Sequence, residues 1–154
     1  PGRKAGLTAL PVLKHEDHKD REDHKEARAL SPGLESVGRE VVDAAIKVHR
    51  LLGPGLLESA YEQCLAHELG LRGRHVRRQA ALPIQYEGLR LDAGYRLDMV
   101  VDDAVVVEVK AVEVLSRLHE AQILTYLRLS GLKLGFLLNF NAVQLRHGLR
   151  RFVH

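Results

Sequence analysis

The stretch Gly94-Tyr95-Arg96-Leu97-Asp98-Met99-Val100-Val101-Asp102-Asp103-Ala104-Val105-Val106-Val107-Glu108-Val109-Lys110-Ala111 decides the fold. Two runs rich in β-branched and apolar residues flank an Asp-Asp turn signal, which reads as a β-hairpin. Successive side chains on a strand point to opposite faces. In the first strand Tyr95, Leu97, Met99 and Val101 therefore oppose Arg96, Asp98 and Val100. In the second, Val105, Val107, Val109 and Ala111 oppose Val106, Glu108 and Lys110. Burying both apolar sets on one side requires Leu97 across from Val109, Met99 across from Val107 and Val101 across from Val105. Asp98 then lies opposite Glu108. A strict two-residue turn would put these carboxylates on opposite faces, so the pattern calls for a three-residue loop or a bulge at Asp102-Asp103.

Two acids and a lysine thus crowd one patch of sheet. Close carboxylates repel, and one tends to keep its proton unless a cation sits between them. Hard oxygen ligands suit Mg²⁺. On the hairpin alone, a polar outer face with ordinary surface ion pairs explains the same residues equally well.

Outward from the hairpin, Val37, Val41, Ala44, Ala45, Val48 and Leu52 recur at helical spacing, and Gly53-Pro54-Gly55 ends that helix. A second helix runs from about Leu56 to Leu71, with Leu57, Tyr61, Cys64, Leu65 and Leu69 as its expected inner stripe. Strands are expected over Val76 to Tyr86, Leu89 to Val101 and Ala104 to Ala111. A third helix follows from Leu118 to Ser130, then a buried strand from Leu132 to Phe140 and an edge strand from Leu149 to Val153. The order α, α, β, β, β, α, β gives an α/β fold, a mixed central sheet flanked by helices.

The chain of 154 residues is long enough for one domain with a real core and too short for two ordinary ones. Residues 1–30 form a polar tail alternating acid, base and histidine, which leaves 31–154 as the domain. Hydrophobic residues at 45% and charged residues at 28% match a soluble globular protein. No apolar run approaches the roughly 20 residues of a membrane helix, so no membrane partner and a cytoplasmic location are expected. The single cysteine, Cys64, excludes an intrachain disulfide and a thiolate zinc cluster, and its expected place is the core. A net charge of +3 does not by itself point to nucleic acid, so the position of the charges matters more.

Four motifs in order narrow the reading: Gly55-Leu56-Leu57-Glu58-Ser59-Ala60-Tyr61, then Gly94-Tyr95-Arg96-Leu97-Asp98, then Glu108-Val109-Lys110, then Gln122-Ile123-Leu124-Thr125-Tyr126. Together they resemble the bacterial GxxExxY protein family, assigned to the PD-(D/E)XK nuclease superfamily near its RecB-like branch. The resemblance runs from about Leu34 to Val153. It implies a PD-(D/E)XK nuclease-like fold in which Glu58, Asp98, Glu108 and the Val109 carbonyl hold Mg²⁺ or Mn²⁺. By the same resemblance, Lys110 orients or deprotonates the attacking water and offsets phosphate charge, while Gln122 and Tyr126 steady the lysine or the substrate. The proline that often precedes the motif aspartate is replaced by Leu97.

The implied activity is metal-dependent hydrolysis of a nucleic-acid phosphodiester, DNA being favoured. A silent nucleic-acid-binding or protein-partner module of the same fold is the alternative. Gln122 and Tyr126, four apart, share a helix face with His119, which is either a phosphate contact or a surface residue. Tyr61 is expected in the core, its hydroxyl satisfying a polar neighbour. Arg96 shares the acidic face and is either a phosphate contact or a salt-bridge partner of Glu58 or Asp98. Basic clusters at Arg72, Arg74, His75, Arg77 and Arg78, and at Arg146, His147, Arg150 and Arg151, could track a phosphate backbone or form a solvated rim. With 5% aromatic residues and no Trp, a base-stacking platform is poorly supported. The sequence leaves the oligomeric state, including a homodimer, open.

Overall fold

A computed structural model of the chain describes residues 29–92 and 94–154. The polar tail expected over residues 1–30 therefore lies almost wholly outside the described residues. Helix α1 spans Pro32–Leu52 and α2 spans Glu58–Leu71. The strands β1 (Val76–Ala81), β2 (Ile84–Tyr86), β3 (Leu89–Leu91), β4 (Arg96–Val101) and β5 (Val105–Lys110) follow. Helix α3 (Arg117–Ser130), strand β6 (Leu134–Asn139), a single helical turn α4 (Leu145–Gly148) and strand β7 (Leu149–Val153) complete the order.

Local chemistry sets the helix ends. Ser31 caps α1 by accepting from the Leu34 amide, and Pro32 stands where no amide hydrogen is needed. In α3, Ser116 and His119 form a reciprocal capping box, and Gly131 closes the helix in the left-handed conformation that favours glycine. The expected strand Val76 to Tyr86 is two strands, because Pro83, which has no amide hydrogen, ends the ladder just after the Leu82 amide donates to the Tyr95 carbonyl. The expected strand from Leu89 splits likewise, and β2 and β3 pair as a separate hairpin.

The main sheet has the order β1-β4-β5-β6-β7. Only β5 and β6 are parallel, joined by the α3 crossover, and the other neighbours are antiparallel. Met99 pairs with Val107 and Val101 with Val105, as the burial argument requires, and the turn Asp102-Asp103-Ala104 has three residues. Asp102 and Asp103 both adopt positive φ, 51° each, so two consecutive residues turn left-handed before β5 begins.

Two cores lie on the two sheet faces. On one, Met99, Val101, Val105, Val107, Val109, Leu134, Phe136 and Leu138 pack against Val41, Ala44, Ala45, Tyr61, Leu65 and Leu69 of α1 and α2. On the other, Val100 and Val106 pack against Tyr126 and Leu127 of α3. Close approach is enabled by Gly38 on α1, where a Cβ would meet Leu134 at 2.8 Å, and by Gly135 on β6, where it would meet Ile123 at 3.1 Å.

One feature departs from strict alternation. Leu97 shares strand parity with Met99, yet it belongs to the second core with Ala80 and Leu82. On the neighbouring strand Val76 packs against the first core while Ala80, four residues on, sits in the second. Both strands change face between the register partners Arg78↔Met99 and Ala80↔Leu97, where Gln79 has φ 50°. A left-handed residue in mid-strand rotates everything beyond it. The expected pairing of Leu97 and Tyr95 with the first core is thereby corrected, and Tyr95 is half exposed and outside β4.

Two further expectations are corrected on α2. Cys64 is exposed, and Leu57 is 77% exposed at the N-cap, while the buried face carries Tyr61, Glu62, Leu65 and Leu69. The buried Tyr61 stacks on Phe140 at 4.6 Å, and its hydroxyl donates to the Gly53 carbonyl and accepts from the Leu56 amide. That hydroxyl fastens the Gly53-Pro54-Gly55 turn, so Tyr61 is structural.

Candidate active site

The face switch places Asp98 where groups from both helical layers arrive. Past Met99↔Val107 the hairpin ladder gives way to side-chain bonds. The Asp98 amide donates to Glu108 Oε1 at 3.1 Å, and the Val109 amide donates to Asp98 Oδ2 at 2.9 Å. Each carboxylate therefore occupies a place that a backbone carbonyl would hold in a continued sheet, and the two lie side by side as the register requires. Glu108 is 4% exposed. Burial, and next the charge of Asp98, push its carboxyl from the ordinary 4.5 up to about 8.

Glu58 opens α2, whose amide end favours a carboxylate, and its Oε1 accepts from the Ala111 amide at 3.1 Å. It thus reaches the exit of β5 just past Lys110. Among the described residues, however, no three His, Cys, Asp or Glu side chains gather closely enough to enclose an ion. The pair Asp98 and Glu108 is assembled, whereas Glu58 is turned to the backbone.

Lys110 Nζ lies 3.5 Å from Gln122 Oε1, and Gln122 Nε2 donates to the Tyr126 hydroxyl at 2.8 Å. The four-residue spacing on α3 aligns both groups over the end of β5. Burial, then the Glu108 charge, raises the Tyr126 phenol above its ordinary value, so the hydroxyl stays protonated beside the acids. His119 Nδ1 accepts from the Ser116 amide, which gives that ring a capping role at the start of α3. Arg96 forms neither of its expected acid pairs. Its Nη1 donates to the Gln79 carbonyl at 3.0 Å.

The first basic cluster also makes internal ion pairs. Arg72 pairs with Asp43 and Glu68, Arg74 with Glu40 and Asp102, Arg77 with Asp103, and Arg78 with Glu62. Arg150 and Arg151 lie against Glu120 and Glu35. Arg77 and Arg78 thus join β1 to the hairpin turn and to α2 by ion pairs while their side chains stay exposed.

Three residues of the site escaped the sequence reading. Glu62, four residues after Glu58 and so on the same helix face, is buried, and that spacing was its only signal. Gln79 faces it from β1 with bonds of 3.1 Å to both carboxylate oxygens. Asn139, register partner of Lys110, is 3% exposed and clasps Val112 by both its amide and its carbonyl. Replacing it strands two backbone groups, so Asn139→Ala should lower stability by about 2 kcal/mol, read from the denaturant midpoint.

The donor set suits a hard divalent cation, because a buried carboxyl that resists ionisation beside a second carboxylate gains a counter-charge from one. Asp98→Asn tests this without activity. The substitution keeps an acceptor for the Val109 amide and removes the charge facing Glu108. Its metal-free melting temperature should equal or exceed that of the wild type, while the upward shift caused by Mg²⁺ should vanish. A melting temperature far below wild type without metal would make Asp98 a structural residue.

A family model of the PD-(D/E)XK nuclease superfamily matches residues 35–152. Neither the curated proteins nor the solved structures contain a significant match. The mixed five-stranded sheet flanked by helices, the paired carboxylates at its splayed hairpin and a match spanning nearly all of the described domain agree: the chain belongs to the PD-(D/E)XK nuclease superfamily.

Proposed function

We propose that the protein is a Mg²⁺-dependent nuclease that hydrolyses nucleic-acid phosphodiesters, DNA by preference, and that it stands in the GxxExxY branch of its superfamily. The observation that carries this reading is the juxtaposition of Asp98, the buried Glu108 and Lys110 at one end of β4 and β5, with Gln122 and Tyr126 above them. Asp98, Glu108 and the Val109 carbonyl would hold the metal, with Glu58 joining after release from the Ala111 amide. When bound there, Mg²⁺ or Mn²⁺ supplies Lewis-acid charge stabilisation at the scissile phosphate.

The chain's own groups do the rest. Lys110 presents a point charge to the non-bridging phosphate oxygens and orients the attacking water, and Gln122 fixes the ammonium through its carbonyl. Tyr126 holds the other end of the Gln122 amide, which leaves only the carbonyl for Lys110. Arg96, whose guanidinium donates to the Gln79 carbonyl, would contact the nucleic-acid backbone beside the site. No helix among the described residues is long and apolar enough to cross a membrane, and a cytoplasmic location is part of the proposal.

Incubating the protein with single-stranded and duplex DNA and RNA, linear and circular, with Mg²⁺ or with chelator, tests the reading. Mg²⁺-dependent cleavage of at least one form is the expected result. Tight binding with no cleavage of any form would favour a silent module.

A further inference from the structure

We propose that Gln79 is a positioning residue for Asp98, anchored on the buried Glu62 and Arg78 pair. The inference rests on the reading of Asp98 as a cation ligand.

Gln79 is a non-glycine residue with φ 50° inside a strand. That conformation costs about 1–2 kcal/mol for an L residue and persists only where its surroundings hold it. Here they do. The Arg96 guanidinium donates to the Gln79 carbonyl at 3.0 Å, and the Gln79 side chain is tied to Glu62 by two contacts of 3.1 Å. Arg78 Nε supplies Glu62 with a cationic partner at 3.2 Å. Glu62 is a carboxylate only 6% exposed, so its oxygens need such donors.

The same Gln79 Nε2 reaches Asp98 Oδ1 at 3.5 Å. Its two hydrogens thus lie among three carboxylate oxygens, a neutral spacer between Glu62 and Asp98 that would otherwise repel. Asp98 Oδ2 is already taken by the Val109 amide at 2.9 Å. With a donor on each oxygen, the Asp98 carboxylate is held in one orientation from both sides. Groups that orient a metal ligand in this way typically govern affinity by about 10- to 100-fold. The left-handed backbone is what aims the side chain: register sets Gln79 opposite Asp98, and the positive φ swings it toward α2, where Glu62 waits.

Gln79→Gly separates backbone from side chain, because glycine accepts positive φ without strain. Its metal-free melting temperature should fall modestly, because relief of the positive-φ strain offsets only part of the loss of two donors to Glu62, while Mg²⁺ affinity measured by calorimetry should fall about tenfold or more. Glu62→Gln approaches from the other end of the chain of contacts and should weaken Mg²⁺ binding by a smaller factor. In the double variant Glu62→Gln should add nothing to the Gln79→Gly loss, since Glu62 acts through Gln79. If Gln79→Gly binds Mg²⁺ within twofold of wild type, or the two losses simply add, the inference falls while the reading of the site stands. If the wild type itself takes up no Mg²⁺, both fall.

Discussion

Lys110→Ala should lower Mg²⁺-supported cleavage by about 10²- to 10³-fold, or roughly 3–4 kcal/mol of transition-state stabilisation. Nucleic-acid affinity in Ca²⁺ should change less than about threefold. The two effects separate because they draw on different charges. In the proposed function, backbone affinity would be spread over many surface cations, each contributing a little in a salt-dependent way. Lys110 instead lies near Glu108, with Gln122 Oε1 at 3.5 Å, and in the proposed function it would act where charge develops on the phosphate. The check is paired: equilibrium binding in Ca²⁺ and single-turnover cleavage in Mg²⁺ on one substrate. Equal losses in both would make Lys110 a binding residue only. Its removal should also leave the fold intact, because its side chain is only half-buried and joins neither core.

The second large effect is on stability and has an unusual sign. Glu108 keeps its proton in the folded chain up to about 8, whereas an unfolded glutamate releases it near 4.5. The folded state therefore binds more protons between these values, and stability falls as pH rises through that window. The loss attributable to Glu108 is about 4 kcal/mol by pH 8. Below pH 4.5 both states are protonated and the contribution is level. Glu108→Gln, which mimics the protonated acid, should flatten this slope and exceed wild type in stability at pH 8 without metal. Saturating Mg²⁺ should flatten it for the wild type alone. Chemical denaturation at pH 5, 6, 7 and 8 reads all three, and a wild-type stability that rises with pH would contradict the assignment.

The central hairpin was legible because its evidence is local. The alternation of valines with Asp98, Glu108 and Lys110 fixes a register once the apolar sets must be buried together, and Met99↔Val107 and Val101↔Val105 are found as that register requires, whereas the ladder ends before Leu97 and Val109. The α3 motif was equally readable, since Gln122 and Tyr126 need only a helix to meet. What escaped depends on partners distant in sequence. Leu97 changes face because Gln79, 18 residues earlier, turns left-handed beside it, and no pattern within β4 records that. The ion pairs of Arg77 and Arg78 gave no local signal, because Asp103 and Glu62 reach them only in the fold. Cys64 and Leu57 lie on a helix whose periodicity is blurred by the buried Glu62, so the inner stripe was drawn too wide. Asn139 gave no signal, because an asparagine at the end of a buried strand becomes informative only when Val112 is seen to need it.

The site's logic is therefore a set of buried or half-buried polar groups, each satisfied by a named neighbour, gathered at the one place where the hairpin stops being a regular sheet. Among the described residues no buried side-chain nitrogen or oxygen lacks a partner. Metal-free, Glu108 meets that condition by holding a proton. In the proposed function a cation would take the proton's place.

The most direct measurement of this claim is Mg²⁺ binding followed by calorimetry at pH 7 in buffers of different ionisation heat, which counts the protons released as the ion binds. The account predicts saturable binding with release of close to one proton in the wild type and almost none in Glu108→Gln. Binding without proton release, or no binding at all, would contradict a cation site built on Asp98 and Glu108.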